Sequence, residues 1–150
     1  MAATLYDPDN GYYTKNIRTV GRTGDFSTSA TLDGFFDAAI RRWIREQWNL
    51  AGRKLPLIEI GPGDGSLHNK LRRGLGWLER RGVHSHLVER SPVLRAAQQG
   101  KLRAFRRRIS WHENVETALD ECGGEALIFS NELADAFPAT LLQWHEGRWQ

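Results

Sequence analysis

Cysteine is almost absent from this chain. Cys122 stands alone, which excludes an internal disulfide and any multi-cysteine metal site. It is expected to be an inert thiol in a short helix, and the chain suits a reducing compartment, most simply the cytosol. No apolar run approaches the ~18 residues of a membrane span, so no membrane partner is expected. The N-terminus lacks the basic-then-apolar pattern of a secretory signal. Repeats and low-complexity tracts are also missing. His84, His86, His112 and His145 have no ligand-like spacing with acids or with Cys122. They read as surface or satisfied core groups, and no metal is expected. Charge of either sign is not in large excess, with a net +3, but arginine is clustered. Lys101, Arg103, Arg106, Arg107 and Arg108 form one run, and Arg72, Arg73, Arg80 and Arg81 another. The interleaved aromatics of an RNA-binding platform are missing, so both runs read as solvated helix faces and nucleic-acid contact is not expected.

Against that background one stretch stands out: Leu57-Ile58-Glu59-Ile60-Gly61-Pro62-Gly63-Asp64-Gly65-Ser66-Leu67. An apolar run ends in an acid, and a glycine at every second position follows. This reads as a buried strand turning sharply into a helix, with side chains removed so that backbone can press against a ligand. A dinucleotide site would place a third glycine where Ser66 stands, and a P-loop would end in G-K-[ST], which this chain lacks. The pattern acid-x-G-x-G-x-G is instead similar to the first motif of class I S-adenosylmethionine (SAM) methyltransferases. A plain tight connection is the bland alternative. A second element weighs against it: His86-Leu87-Val88-Glu89 reads as a short strand ending in an acid. Glu89 lies 24 residues after Gly65, close to the ~20 expected of a ribose-binding acid in a nucleotide-binding βαβ unit.

At 150 residues the length fits one domain. Residues 1–32 show no clear period and read as an N-terminal loop or lid segment. Residues 33–150 read as a partial SAM-binding α/β domain. Phe36, Ile40, Trp43, Ile44 and Trp48 recur at helical steps, which predicts a helix from Asp33, its N-cap, to about Asn49, stopped at Gly52. Strands are expected near Pro56–Ile60, Ser85–Val88, Ile109–Trp111 and Ala126–Ser130. A helix is expected from Ser66 to near Arg81, with Leu67, Leu71, Leu75 and Leu78 on one face and Gly74 and Gly76 weakening it. Further helices should start at Ser91-Pro92 and cover Val115–Cys122. Leu141–Trp149 reads as a strand with a turn at Glu146-Gly147. Alternating strands and helices predict a mostly parallel, helix-covered sheet with its ligand beyond the carboxyl ends of the strands.

Several motifs fall in a fixed order. They are Gly11-Tyr12-Tyr13, Gly21-Arg22-Thr23-Gly24-Asp25-Phe26-Ser27-Thr28-Ser29, and Glu59-Ile60-Gly61-Pro62-Gly63-Asp64-Gly65. After them come Val88-Glu89-Arg90-Ser91-Pro92-Val93-Leu94 with Gln98, and Ser130-Asn131-Glu132-Leu133-Ala134-Asp135-Ala136-Phe137-Pro138. In that order they resemble the MidA-like family of SAM-dependent methyltransferases, over nearly the whole chain. The resemblance implies a Rossmann-like class I methyltransferase core with S-adenosylmethionine as cofactor. The mitochondrial members of that family assist respiratory complex I assembly by methylating a protein arginine. Compared with the family, the sheet is expected to be incomplete at the C-terminus.

The resemblance assigns Gly61, Gly63 and Gly65 to the cofactor loop and Glu89 to the ribose hydroxyls. Glu59 would face the methionyl ammonium directly or through water. Gly24, Phe26, Ser27, Thr28 and Ser29 would form a flap over the cofactor. Asn131, Glu132 and Asp135 would be the substrate-side polar groups. Glu132 and Asp135, three apart on a helical turn, would grip a guanidinium, and Asn131 would position substrate or cofactor. Asn131 and Asp135 could equally cap the following helix. The implied partner is a protein arginine acceptor. The implied location is the cytoplasm if the source is bacterial and the mitochondrial matrix if it is eukaryotic. A non-catalytic assembly module with the same fold is the rival reading. A nicotinamide dehydrogenase is a weaker one.

Overall fold

The computed structural model describes residues 34–134, 137 and 142–149. Four strands, β1 (Leu57–Ile60), β2 (Ser85–Val88), β3 (Ile109–His112) and β4 (Leu127–Ser130), form one parallel sheet in the order β3-β2-β1-β4. The chain moves outward from β1 to β3, then returns to the other side of β1 for β4. That reversal makes a crevice at the carboxyl ends of β1 and β4, the place where open α/β sheets bind ligands.

The alternation of side chains along each strand builds two layers. On one face Leu57 and Leu127 pack with Ile44 and Trp48 of α1 (Gly34–Ala51) and with Leu75 and Val83. Leu67 and Leu71 of α2 (Ser66–Gly74) pack beside them against Phe36, Ile40 and Phe129. Further along this face Leu87 and Ile109 meet Leu102, at the junction of α4 (Pro92–Lys101) with a 3₁₀ segment, Arg103–Arg108. On the other face Ile58 and Val88 pack against Ala118 of α5 (Val115–Glu121). The aromatic stripe expected on α1 is therefore core packing. Gly52, with φ 67°, stops that helix.

The single helix expected from Ser66 to Arg81 is two. After α2 the chain extends through Leu75 and Gly76, and α3 (Trp77–Gly82) starts afresh. The Gly76 amide donates to Glu79 Oε2 at 2.5 Å, a capping contact that begins the new helix, and Glu79 is in turn held by both prongs of Arg45 at 2.7 and 3.0 Å. The break takes Leu78 off the apolar face and leaves it 70% exposed. Ser91 caps α4 as expected, accepting from the Leu94 amide, with Pro92 in the first turn. The C-terminal hairpin pairs β5 (Trp144–His145) with β6 (Arg148–Trp149). Its turn residues Glu146 and Gly147 both have positive φ, 48° and 81°, as a two-residue type I′ turn requires.

The solvated-face reading holds for Lys101, Arg103, Arg106, Arg107 and Arg108, all exposed, and fails at Arg72. Arg72 is 1% exposed. Its fork donates to the carbonyls of Val83 at 3.1 Å and Arg80 at 3.0 Å, and its guanidinium lies over the Phe105 ring. It satisfies carbonyls that the end of α3 leaves unpaired. Burial, with Arg108 and Arg80 nearby, lowers its pKa to about 10, so it is still a cation at neutral pH.

Candidate cofactor site at the carboxyl ends of the strands

The glycine turn leaves β1 at Gly61 and enters α2 at Gly65. Gly61, Gly63 and Gly65 have φ of 64°, 56° and 78°, the left-handed region where a Cβ is strained. Packing adds a second constraint at Gly61, where a Cβ would stand 2.6 Å from Leu133 Cδ1. The turn is tied down at both ends. The Gly61 amide donates to the Val88 carbonyl at 3.0 Å and the Gly65 amide to Pro62 at 2.9 Å. Asp64 accepts from the Ser66 amide at 2.9 Å and its hydroxyl at 2.8 Å, and Lys101 pairs with the same carboxylate.

Glu89 follows β2, in line with the turn. Its Oε1 accepts from the Ser91 amide at 2.8 Å, and its own amide donates to the His112 carbonyl at 2.9 Å. Burial raises its pKa above the ordinary carboxyl value, opposed by the Ser91 amide and the Gln98 side chain. Between the turn and Glu89 stands Gln98, fully buried on α4. Its Nε2 donates to the Gly63 carbonyl at 2.7 Å and to Glu89 Oε2 at 3.3 Å, and its Oε1 accepts from Trp111 Nε1 at 3.0 Å. One amide thus fixes the turn and the acid relative to each other. Arg95 supports the same corner by donating to the Glu89 carbonyl at 2.7 Å.

Gly61, Gly63, Gly65 and Glu89 are thus brought together. Glu59, the group expected to face a methionyl ammonium directly or through water, lies within β1. It is 2% exposed, and its Oε2 meets His68 Nδ1 on α2 at 2.8 Å. It ties β1 to α2 from within. Asn131 and Glu132 stand just past β4, at the crevice. Glu132 has φ 48°, a left-handed conformation uncommon for a residue with a side chain, so the expected helical turn does not include it. Gly24, Phe26, Ser27, Thr28, Ser29 and Asp135 lie outside the described residues. Gln98 carries the geometry, though no motif in the sequence assigns it a role. Its signal was legible: a polar residue between Leu94 and Leu102 on the apolar stripe of α4. Among the described residues no helix is long and apolar enough to cross a membrane.

A family model described as "Putative S-adenosyl-L-methionine-dependent methyltransferase" matches residues 39–150. The chain belongs to that family. It is 31% identical over 173 residues to the protein arginine methyltransferase NDUFAF7 homolog, mitochondrial, of Drosophila melanogaster, a match that covers 100% of this chain and 39% of that protein. It is also 31% identical over 175 residues to the corresponding protein of Danio rerio, covering 100% of this chain and 40% of the relative. The chain therefore spans about two fifths of the length of these curated relatives. A crystal structure of a Burkholderia thailandensis protein bound to S-adenosyl-homocysteine superposes with a TM-score of 0.59 at 25% identity, covering 75% of this chain and 31% of that one. The parallel order β3-β2-β1-β4 is the Rossmann-like half that such a methyltransferase core contains.

Proposed function

We propose that this chain forms the cofactor-binding part of a SAM-dependent methyltransferase that acts on a protein arginine. The observation that carries the reading is the Gln98 bridge, which holds a left-handed glycine turn and a half-buried carboxylate as one unit at the sheet's crevice. Glycines 61, 63 and 65 would receive the methionyl and ribose part of the cofactor against bare backbone. Glu89 would accept from both ribose hydroxyls with the carboxylate that the Ser91 amide already orients. The bound cofactor would supply an activated methyl group on a sulfonium.

The residues after β4 would serve the acceptor. Asn131 and Glu132 sit at the crevice, and Asp135 follows them in sequence. An arginine acceptor stays protonated, so it needs carboxylates to grip its fork, localise its charge and leave one nitrogen aimed at the methyl carbon. Orientation of that kind can supply several kcal/mol of the barrier. The arginine acceptor rests on the printed names of relatives that are about 31% identical. Those relatives are named mitochondrial, which supports a matrix location if the source is eukaryotic.

Calorimetric titration of S-adenosyl-homocysteine into the chain, with Glu89→Ala beside it, tests the reading. Saturable binding that weakens about 10- to 100-fold in the variant is expected, from the ~1.5–3 kcal/mol of a hydrogen bond to a charged group. A folded wild type that binds neither this product nor SAM would overturn the cofactor assignment and favour the non-catalytic module. Transfer of label from SAM to arginine-containing peptides, lost in Glu132→Gln, tests the acceptor separately.

A further inference from the structure

The face of the sheet covered by α5 carries a cluster that the cofactor site does not use. His86 of β2 and His112 of β3 project to that face and are 4% and 6% exposed. In the strand register His86 pairs with Ser110 and His112 with Val88, so the two rings are diagonal neighbours. Their facing nitrogens, His86 Nδ1 and His112 Nε2, are 3.0 Å apart. Glu121, the last residue of α5, places Oε2 at 3.7 Å from each of them. The histidines are 26 residues apart in sequence, which is why their spacing along the chain gives no ligand pattern.

We propose that His86, His112 and Glu121 form a binding site for one divalent transition-metal ion, zinc being the best fit. The three donor atoms form a triangle with sides of 3.0, 3.7 and 3.7 Å. The point equidistant from its corners lies about 2.0 Å from each atom, which matches Zn–N and Zn–O bonds of about 2.0–2.2 Å. Two imidazoles and one carboxylate suit zinc and its neighbours in the transition series and do not suit calcium or magnesium, which take oxygen cages. The protein offers three ligands, and Glu121, 57% exposed, stands on the solvent side, where water can complete a tetrahedron. An ion here would join β2, β3 and α5. It would also fix His112, whose carbonyl accepts the Glu89 amide at 2.9 Å.

The test is titration of Zn²⁺ into the chelator-stripped chain, with Co²⁺ absorption as a second readout. One equivalent should bind saturably, and Co²⁺ should give the visible bands of a tetrahedral site. Glu121 is exposed, so Glu121→Gln keeps the fold and should weaken binding at least about tenfold, since even lost outer partners of a metal ligand cost 10–100-fold. His112→Gln should abolish it. Cys122→Ser and His145→Gln should bind as wild type does. Absence of saturable binding, unchanged affinity in Glu121→Gln, loss of binding in Cys122→Ser, or equal affinity for Ca²⁺ would each overturn the proposal.

Discussion

Replacing Gln98 by leucine separates the cofactor geometry from ordinary core packing. The side chain is fully buried, and leucine has nearly its volume, so the change removes polarity with little cavity. Two good hydrogen bonds are lost, at 2.7 Å to the Gly63 carbonyl and 3.0 Å from Trp111, with a weaker one at 3.3 Å to Glu89. At about 1 kcal/mol net for each good bond, the loss is about 2 kcal/mol. Gly63 and Trp111 are both half-buried, so the desolvation penalty stays near its low end, about 1 kcal/mol for each of the two freed groups, which gives the same figure as counting the bonds. A loss of about 2 kcal/mol should lower Tm by roughly 5–10 °C in a chain of this size.

The binding consequence is larger than packing alone predicts. Without the bridge, the turn and Glu89 are no longer held in one arrangement, and the apparent affinity falls with the fraction that remains competent. S-adenosyl-homocysteine should bind at least about tenfold more weakly, the equivalent of 1.4 kcal/mol. The comparison variant is Leu102→Ala, fully buried one helical turn further on, which should cost about 2–5 kcal/mol of stability. Both are measured by thermal melting and by calorimetry well below either Tm. The reasoning predicts that Gln98→Leu changes affinity far more than Leu102→Ala does. If Gln98→Leu melts early but binds as wild type, Gln98 is a core amide and the bridge does not organise the site.

Three further outcomes are expected. Gly61→Ala must place a Cβ at φ 64° and 2.6 Å from Leu133 Cδ1, so it should lose about 2–3 kcal/mol of stability and all measurable cofactor binding; normal binding would refute the turn's role. Glu89 has a pKa raised from 4.5, and ribose hydroxyls held as proposed would need its ionised form, so affinity for S-adenosyl-homocysteine should fall as pH drops through a value above 4.5, and Glu89→Gln should flatten that profile. In the free protein the sign is the reverse: a raised folded-state pKa gives stability that is present below the unfolded value and is lost as pH rises through the folded one. Arg72→Lys puts one compact ammonium where a fork reaches the Val83 and Arg80 carbonyls, and should cost about 1–3 kcal/mol by thermal melting with cofactor affinity unchanged.

The β1 turn was legible in the sequence because it is local. Three glycines at alternate positions after an apolar run have few explanations other than backbone held at positive φ. The short apolar strands that carry Glu59 and precede Glu89 were legible for the same reason. The direction of an acid was not. Glu59 and Glu89 both sit near strand ends, yet one faces a histidine on α2 and the other the crevice. Strand parity does not separate them, because Glu59 pairs with Leu87 and Glu89 continues the same face; Glu59 lies within β1, under α2, whereas Glu89 lies past the end of β2, and only the topology says what covers each.

The same limit hid Arg72 and the histidine pair. A charged residue in an arginine run reads as solvated until two carbonyls at the end of a neighbouring helix turn out to need a donor. Two histidines 26 residues apart have no spacing to read until the β2–β3 register places them diagonally across a buried face. Gln98 is the intermediate case. Its position on an apolar stripe announces that a buried amide must find partners, because an unmet one would cost about 1–3 kcal/mol. The stripe cannot say which partners. Trp111 is donor-only, so it turns the Gln98 oxygen toward itself, and the amide nitrogen is left facing Gly63 and Glu89. A tryptophan on β3 thereby orients the donor that holds the glycine turn after β1, a connection that exists only once the strands are in order.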